Sequence, residues 1–354
     1  MNKDGRHQFW KGKRVLVTGH SGFKGSWLTI WLNILGAEVT GISLPPSTTP
    51  NLFTDAKTHS VCDSRFCDIR DGSQLARIVS DVRPDIVFHL AAQPLVRSSY
   101  EYPRETFETN VMGTTHLLES LRGLETVRVA LMVTTDKVYR QSGSRQPFRE
   151  NDPLGGRDPY SASKACCELV VESYRHSFFS NQGTAIACAR AGNVIGGGDW
   201  APDRLIPDAI RAWTAGLSLQ VRNPESIRPW QHVLEPLSGY LKLAEQLWDN
   251  SELAGAYNFG PDDSATITVG ELVQMARTAY GIADVSFCNH GDELHEADWL
   301  ALDTSKTRES LGIRARLTVN EAVSQTIAWY RAHCDGADAR SLCESDIAFY
   351  EALQ

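Results

Sequence analysis

The chain has 354 residues, 42% of them hydrophobic and 22% charged, a balance that supports a large packed core and excludes a disordered polymer. Its formal charge of −8 provides no global positive field, which argues against a general nucleic-acid or membrane-surface binder and leaves any anionic ligand to local arginines. No 18 apolar residues run together, and the opening MNKDGRHQFWKGKR lacks a signal-peptide core, so the expectation is a cytoplasmic protein with no membrane span.

Residues 13–18 (KRVLVT) predict a strand that runs into Gly19-His-Ser-Gly22-Phe-Lys-Gly25. Leu28, Trp31, Leu32 and Leu35 then recur at the helical period, and Gly36 supplies a residue for the left-handed cap. Strand, glycine turn and helix start together let backbone N–H groups approach a pyrophosphate, which makes Gly19, Gly22, Phe23 and Gly25 candidate dinucleotide-binding residues. The second strand, 38–44, ends in Ser43-Leu44-Pro45-Pro46, where an acid for the ribose hydroxyls is expected. Ser43 or the 47–49 run is left to meet the ribose, and with no arginine there for a 2′-phosphate, NAD is favoured over NADP. Asp68 and Ile69 would close an adenine pocket, although Asp68 reads equally well as a helix N-cap.

Residues 85–92 (DIVFHLAA) predict a strand covered on both faces, with His89 a satisfied core histidine and Ala91 and Ala92 small enough for a cofactor to pass close. Thr109-Asn110-Val111 is expected to open a helix, and 127–134 to form the next buried strand. That strand delivers Thr135, Asp136 and Lys137 to a C-terminal strand end, where open parallel sheets bind ligands. Tyr160 and Lys164 lie four residues apart on a helix that continues to Tyr174, and so share one face. An ammonium beside the phenol would favour its phenolate and make Tyr160 a general base, with both residues also next to the cofactor.

Residues 184–190 predict a further strand, and the glycine-rich stretch 191–200, which contains the candidate substrate ligand Asn193, marks the crossing into a second lobe. Arg204, ahead of a helix ending near Gly216, and Arg228, in a loop at 227–233, are candidates for a diphosphate clamp. Residues 257–260 resemble a strand returning to the sheet, and an amphipathic 317–330 precedes a polar tail. The expected fold class is α/β, a doubly wound parallel sheet of the Rossmann type with a smaller C-terminal substrate lobe. The cofactor part is 1–190 with 232–260 returning to it, and the substrate part 191–231 and 261–354. Cys62, Cys67, Cys166, Cys167, Cys188, Cys288, Cys334 and Cys343 form no C-x-x-C pair and read as reduced and structural, with no metal site.

With these motifs laid out, the chain resembles the extended short-chain dehydrogenase/reductase superfamily of nucleotide-sugar enzymes, from about Val15 to Tyr330. The resemblance rests on the glycine triplet, His89-Leu-Ala-Ala, Asn110, Thr135 and the Tyr160/Lys164 pair. Asp136 is similar to the acid of the sugar-nucleotide 4,6-dehydratases, which usually carry Thr-Asp-Glu where this chain has Thr135-Asp136-Lys137. The resemblance implies bound NAD, CDP-glucose as substrate, a homo-oligomer (dimer or tetramer) and a place in bacterial deoxysugar and O-antigen synthesis. It also implies roles: Tyr160, with Lys164 and Thr135, for oxidation at C4; Asp136 as acid for the C6 hydroxyl; Lys137 as base for the C5 proton. A Lys137 that stays charged would instead polarise the keto oxygen. A nucleotide-sugar 4-epimerase needs only the Thr/Tyr/Lys set, and a non-catalytic NAD-sensing protein needs none of it.

Overall fold

The computed structural model describes residues 3–141, 143, 145–261, 267–281, 283–287 and 299–353. Seven parallel strands form the central sheet: β1 (Arg14–Thr18), β2 (Glu38–Ser43), β3 (Asp63–Phe66), β4 (Ile86–His89), β5 (Val129–Val133), β6 (Ala185–Ala191) and β7 (Ala256–Phe259). Their spatial order is β7-β6-β5-β4-β1-β2-β3, so the winding reverses between β1 and β4, where Val15 sits between Val39 and Ile86. In such a sheet the crevice for a ligand opens beyond the strand ends at that reversal. The ends there are Thr18, Ser43, His89 and Val133, which is why the candidate residues follow them directly.

β4, β5 and β6 are buried throughout, and their sequences are accordingly continuous apolar runs. One core cluster covers one face of the sheet, built around helix α1 (Phe23–Ile34); a second, around Leu75, Leu117 and Val171, covers the other. β3 was not expected from the sequence. It is a half-exposed edge strand, DSRF, in which Arg65 pairs with Asp63 and Asp81, so it carries charge where a central strand carries apolar side chains.

Three other expectations are corrected. Asn110 does not open a helix: helical backbone begins at Pro103, and Asn110 sits in a π-turn within it. From there its side chain bonds both the N–H and the C=O of Gln93 and donates to Ser163 Oγ. The loop at 227–233 contains two short pairings, Ile227–Arg228 with Ile267–Thr268 and Gln231–His232 with Val194–Ile195. The polar tail is a helix, Ala339–Ala352, whose Cys343, Ile347 and Tyr350 are buried. It packs on α1, where Trp31 Nε1 donates to Glu351 Oε1 at 2.9 Å and the Trp31 ring meets Tyr350 edge to face. Cys288 lies outside the described residues; the other seven cysteines are free, and no metal-holding cluster occurs among the described residues.

Candidate active site

A cavity of about 880 Å³ opens at the C-terminal ends of the strands, between the sheet and residues 191–208 and 219–230. Its floor is the turn between β1 and α1. Gly19 has φ +80°, and a Cβ there would lie 2.7 Å from the backbone nitrogen of Ala91; one on Gly25 would lie 2.0 Å from the Gly19 carbonyl oxygen. Only glycine fits either place, and the result is a helix start that no side chain caps. A backbone cradle at a bare helix start suits a pyrophosphate, so these residues fit a dinucleotide cofactor. Phe23 lines the cavity with its ring tip close to Gly196, and Ala91 and Ala92 line the cavity wall.

The two readings of Asp68 resolve in favour of the wall. Asp71, not Asp68, caps the following helix by accepting from Gln74 N–H, whereas Asp68 lines the cavity in a bidentate pair with Arg70. The Arg70 guanidinium holds the Asp68 carboxyl below its usual range. Ile69 lines the same wall and is packed so closely on Gly113 that a Cβ there would touch it at 2.4 Å. Ser43 also reaches the cavity, but its hydroxyl is engaged with His20 Nδ1 at 3.0 Å.

At the end of β5, Thr135 caps a single 3-10 turn, Asp136–Val138, which turns Asp136 inward. Asp136 is almost fully buried; its Oδ1 accepts from Thr135 Oγ1 at 3.0 Å and lies 3.7 Å from Lys137 Nζ, while its Oδ2 has no hydrogen-bond partner. A buried oxygen without a partner is rare, and this one stands ready for a hydroxyl entering the cavity. Lys137 is 24% exposed and faces the same space. Tyr160 and Lys164 project from one helix, Pro159–Tyr174, capped by Asp158 and started by Pro159.

The expected phenolate is corrected. Burial pushes the Tyr160 phenol up to about 12, opposed by its hydrogen bond with Thr135 and by the charge of Arg204. Lys164 donates instead to the Val133 carbonyl at 3.0 Å, and burial lowers its ammonium. Removing the phenolate from water outweighs what these neighbours return. His89 is the satisfied core histidine expected, bonded to Thr18 Oγ1 at 2.6 Å and Thr114 Oγ1 at 3.1 Å.

Beyond β6, Asn193, Arg204 and Arg228 all reach the cavity. Asn193 Oδ1 is buried without a hydrogen-bond partner, Arg204 pairs with Asp199 at 2.8 Å, and Arg228 is buried with a guanidinium donating to the Ile227 carbonyl. The crossing chain presses on the Asp136 turn: a Cβ on Gly192 would lie 3.1 Å from Asp136 Oδ2 and 2.4 Å from Pro229.

A sequence model of the family described as GDP-mannose 4,6 dehydratase matches residues 16–326. The chain belongs to the GDP-mannose 4,6-dehydratase family. It is 45% identical to a CDP-glucose 4,6-dehydratase of Salmonella typhimurium (strain LT2), over 97% of each chain. It is 27% identical to a dTDP-glucose 4,6-dehydratase of Xanthomonas campestris pv. campestris, over 89% of this chain and 92% of the relative. In fold it is similar to the crystal structure of dTDP-glucose 4,6-dehydratase from Bacillus anthracis in complex with NAD, with a TM-score of 0.74 at 21% identity over 91% of this chain and 97% of that one.

Two polar residues inside the glycine turn of this 4,6-dehydratase family member escaped the sequence reading. His20 is fully buried, and its ring sits 2.2 Å from where a Cβ on Gly41 would be, with Ser43 on Nδ1 and Ser64 Oγ 2.6 Å from Nε2. It fills the end of β2 where the ribose acid was expected, and burial lowers it to about 4, so it is neutral. Lys24 is the other. The signal for both was a polar side chain where a helix start packs into the core.

Proposed function

We propose that the chain is an NAD-dependent hydro-lyase that converts CDP-D-glucose to CDP-4-keto-6-deoxy-D-glucose in the cytoplasm, for bacterial deoxysugar and O-antigen synthesis. The observation that carries this reading is the Asp136–Lys137 pair, placed beside Tyr160 at the strand end with one carboxylate oxygen unpartnered. Oxidation and epimerisation at C4 require neither residue; elimination of water across C5 and C6 requires an acid and a base. The CDP-glucose assignment draws on the 45% identical relative.

When bound, NAD would supply the hydride acceptor for oxidation at C4 and the hydride donor for reduction at C6. The chain's own groups do the rest. Tyr160 accepts the C4 hydroxyl proton, and its hydrogen bond with Thr135 and the charge of Arg204 oppose the upward push of burial on the phenol. The 4-keto group acidifies C5–H, and Lys137 removes that proton. Asp136 protonates the departing C6 hydroxyl; when hydride reaches C6, Lys137 returns its proton to C5, and the proton held by Tyr160 restores Asp136 through Thr135, which is hydrogen-bonded to both. Asn193, Arg204 and Arg228 hold the nucleotide-sugar diphosphate in the second lobe, so that 1–190 with 232–260 serves the cofactor and 191–231 with 261–354 the substrate, apart from the Ala339–Ala352 helix docked on α1.

The test offers CDP-, dTDP-, GDP- and UDP-glucose, each deuterated at C4. A 4-keto-6-deoxy product from CDP-glucose with deuterium at C6 is expected. Deuterium retained at C4 with inversion would make the protein an epimerase, and NAD binding with no turnover a sensor. The protein is also proposed to form a homo-oligomer through the adjoining helices that expose Phe107, Met112 and Leu169. Sedimentation is expected to show a dimer or tetramer, which Leu169→Glu dissociates.

A further inference from the structure

Lys24 is the second residue of α1, within the turn that cradles the pyrophosphate, and its side chain runs inward. Its ammonium stands 5.8 Å from the ring centroid of Tyr240, a fully buried tyrosine whose hydroxyl has no hydrogen-bond partner. It feels the charges of Arg204 and Lys164, which repel it, and of Asp136, which attracts it. An amine in this chamber is expensive to keep charged: burial first, then Arg204 and Lys164, lower it to about 7. The α1 face around it is otherwise apolar, so packing alone does not account for a lysine here.

A dinucleotide whose pyrophosphate rests on Gly22–Gly25 and whose reacting ring serves Tyr160 must bring its nicotinamide end into the chamber that holds this ammonium. The oxidised nicotinamide is a cation and the reduced one is neutral. We propose that Lys24 sets the redox poise of the bound cofactor: its ammonium disfavours the oxidised ring relative to the reduced one and so favours the first half-reaction. In that step the sugar C4–H bond breaks, its electron pair passes with the hydrogen to the nicotinamide, and the C4 hydroxyl proton goes to Tyr160; the alcohol is oxidised and the cofactor reduced. Lys24 touches neither the sugar nor the proton and acts as a positioning charge.

The inference rests on NAD as cofactor and is tested by equilibrium binding of NAD+ and NADH to the full chain. Lys24→Met is expected to lower the ratio of the NAD+ to the NADH dissociation constant roughly tenfold, as loss of one charge at moderate effective dielectric predicts, while Lys24→Arg keeps it. A ratio unchanged in Lys24→Met, with both affinities intact or both weakened equally, overturns the proposal and leaves the cofactor reading standing. Failure of the unsubstituted protein to bind either form removes both. If Lys24→Met does not fold, the unsubstituted protein still decides: the ratio falls between about pH 6 and about pH 9 as the ammonium is lost, and a flat ratio overturns the proposal. Asp136, Tyr160, Lys164, Arg204 and Tyr240 are the titratable and charged neighbours that enter that profile.

Discussion

At the residue scale, the proposed chemistry turns on whether Asp136 and Lys137, 3.7 Å apart, divide acid and base work. Lys137 stands where most sugar-nucleotide 4,6-dehydratases are expected to carry Glu. Lys137→Ala is predicted to lower kcat at least about a hundredfold, the usual worth of a positioned base, while C4 oxidation, seen as cofactor reduction in a single turnover, persists. Full activity in that variant would remove Lys137 from the mechanism, and substantial activity in Lys137→Glu would show that any suitable base serves. Arg204 gives a second test. Its charge lowers the Tyr160 phenol, so Arg204→Met raises that phenol and moves the acid limb of the pH–rate profile to higher pH. A limb that stays in place would show that the Tyr160 proton does not control the rate.

At the element scale, the turn between β1 and α1 is fixed by sterics. A Cβ on Gly25 meets the Gly19 carbonyl at 2.0 Å, whereas one on Gly22 meets it at 3.3 Å and at an ordinary backbone conformation. Gly25→Ala is therefore expected to cost about 2 kcal/mol or more of stability and to abolish NAD binding, and Gly22→Ala to leave Tm near that of the parent. Calorimetry with an NAD titration checks both; equal effects at the two positions would refute the steric account. The strands that the apolar runs foretold, β1, β2, β4, β5, β6 and β7, are those with covered faces. β3 and the Ala339–Ala352 helix were missed because an edge strand needs no apolar run and because a helix laid on α1 needs only a few buried contacts, here Cys343, Ile347 and Tyr350.

At the scale of the whole molecule, three histidines among the described residues are buried and neutral: burial lowers His20 to about 4 and His89 and His232 to about 3. Imidazoles of the unfolded chain titrate near ~6.5. Below that pH the unfolded state takes up protons that the native state refuses, so stability falls as pH falls towards about 4, by about 1.4 kcal/mol per pH unit for each histidine. Thermal melts are expected to show Tm dropping through this window and dropping less steeply in His89→Gln; a Tm independent of pH there would contradict the burial of these rings. The sequence by itself determined the strand, glycine turn and helix at β1 and α1 and the four-residue step from Tyr160 to Lys164, because both follow from local sterics and helical period. Only the tertiary structure decided that the phenol is raised rather than lowered, that Asp68 is wall and not cap, that His20 fills the C-terminal end of β2, and that Lys24 shares a chamber with Asp136 and Lys164. Desolvation and charge contact depend on which residues distant in the chain enclose a group, and no local pattern records that.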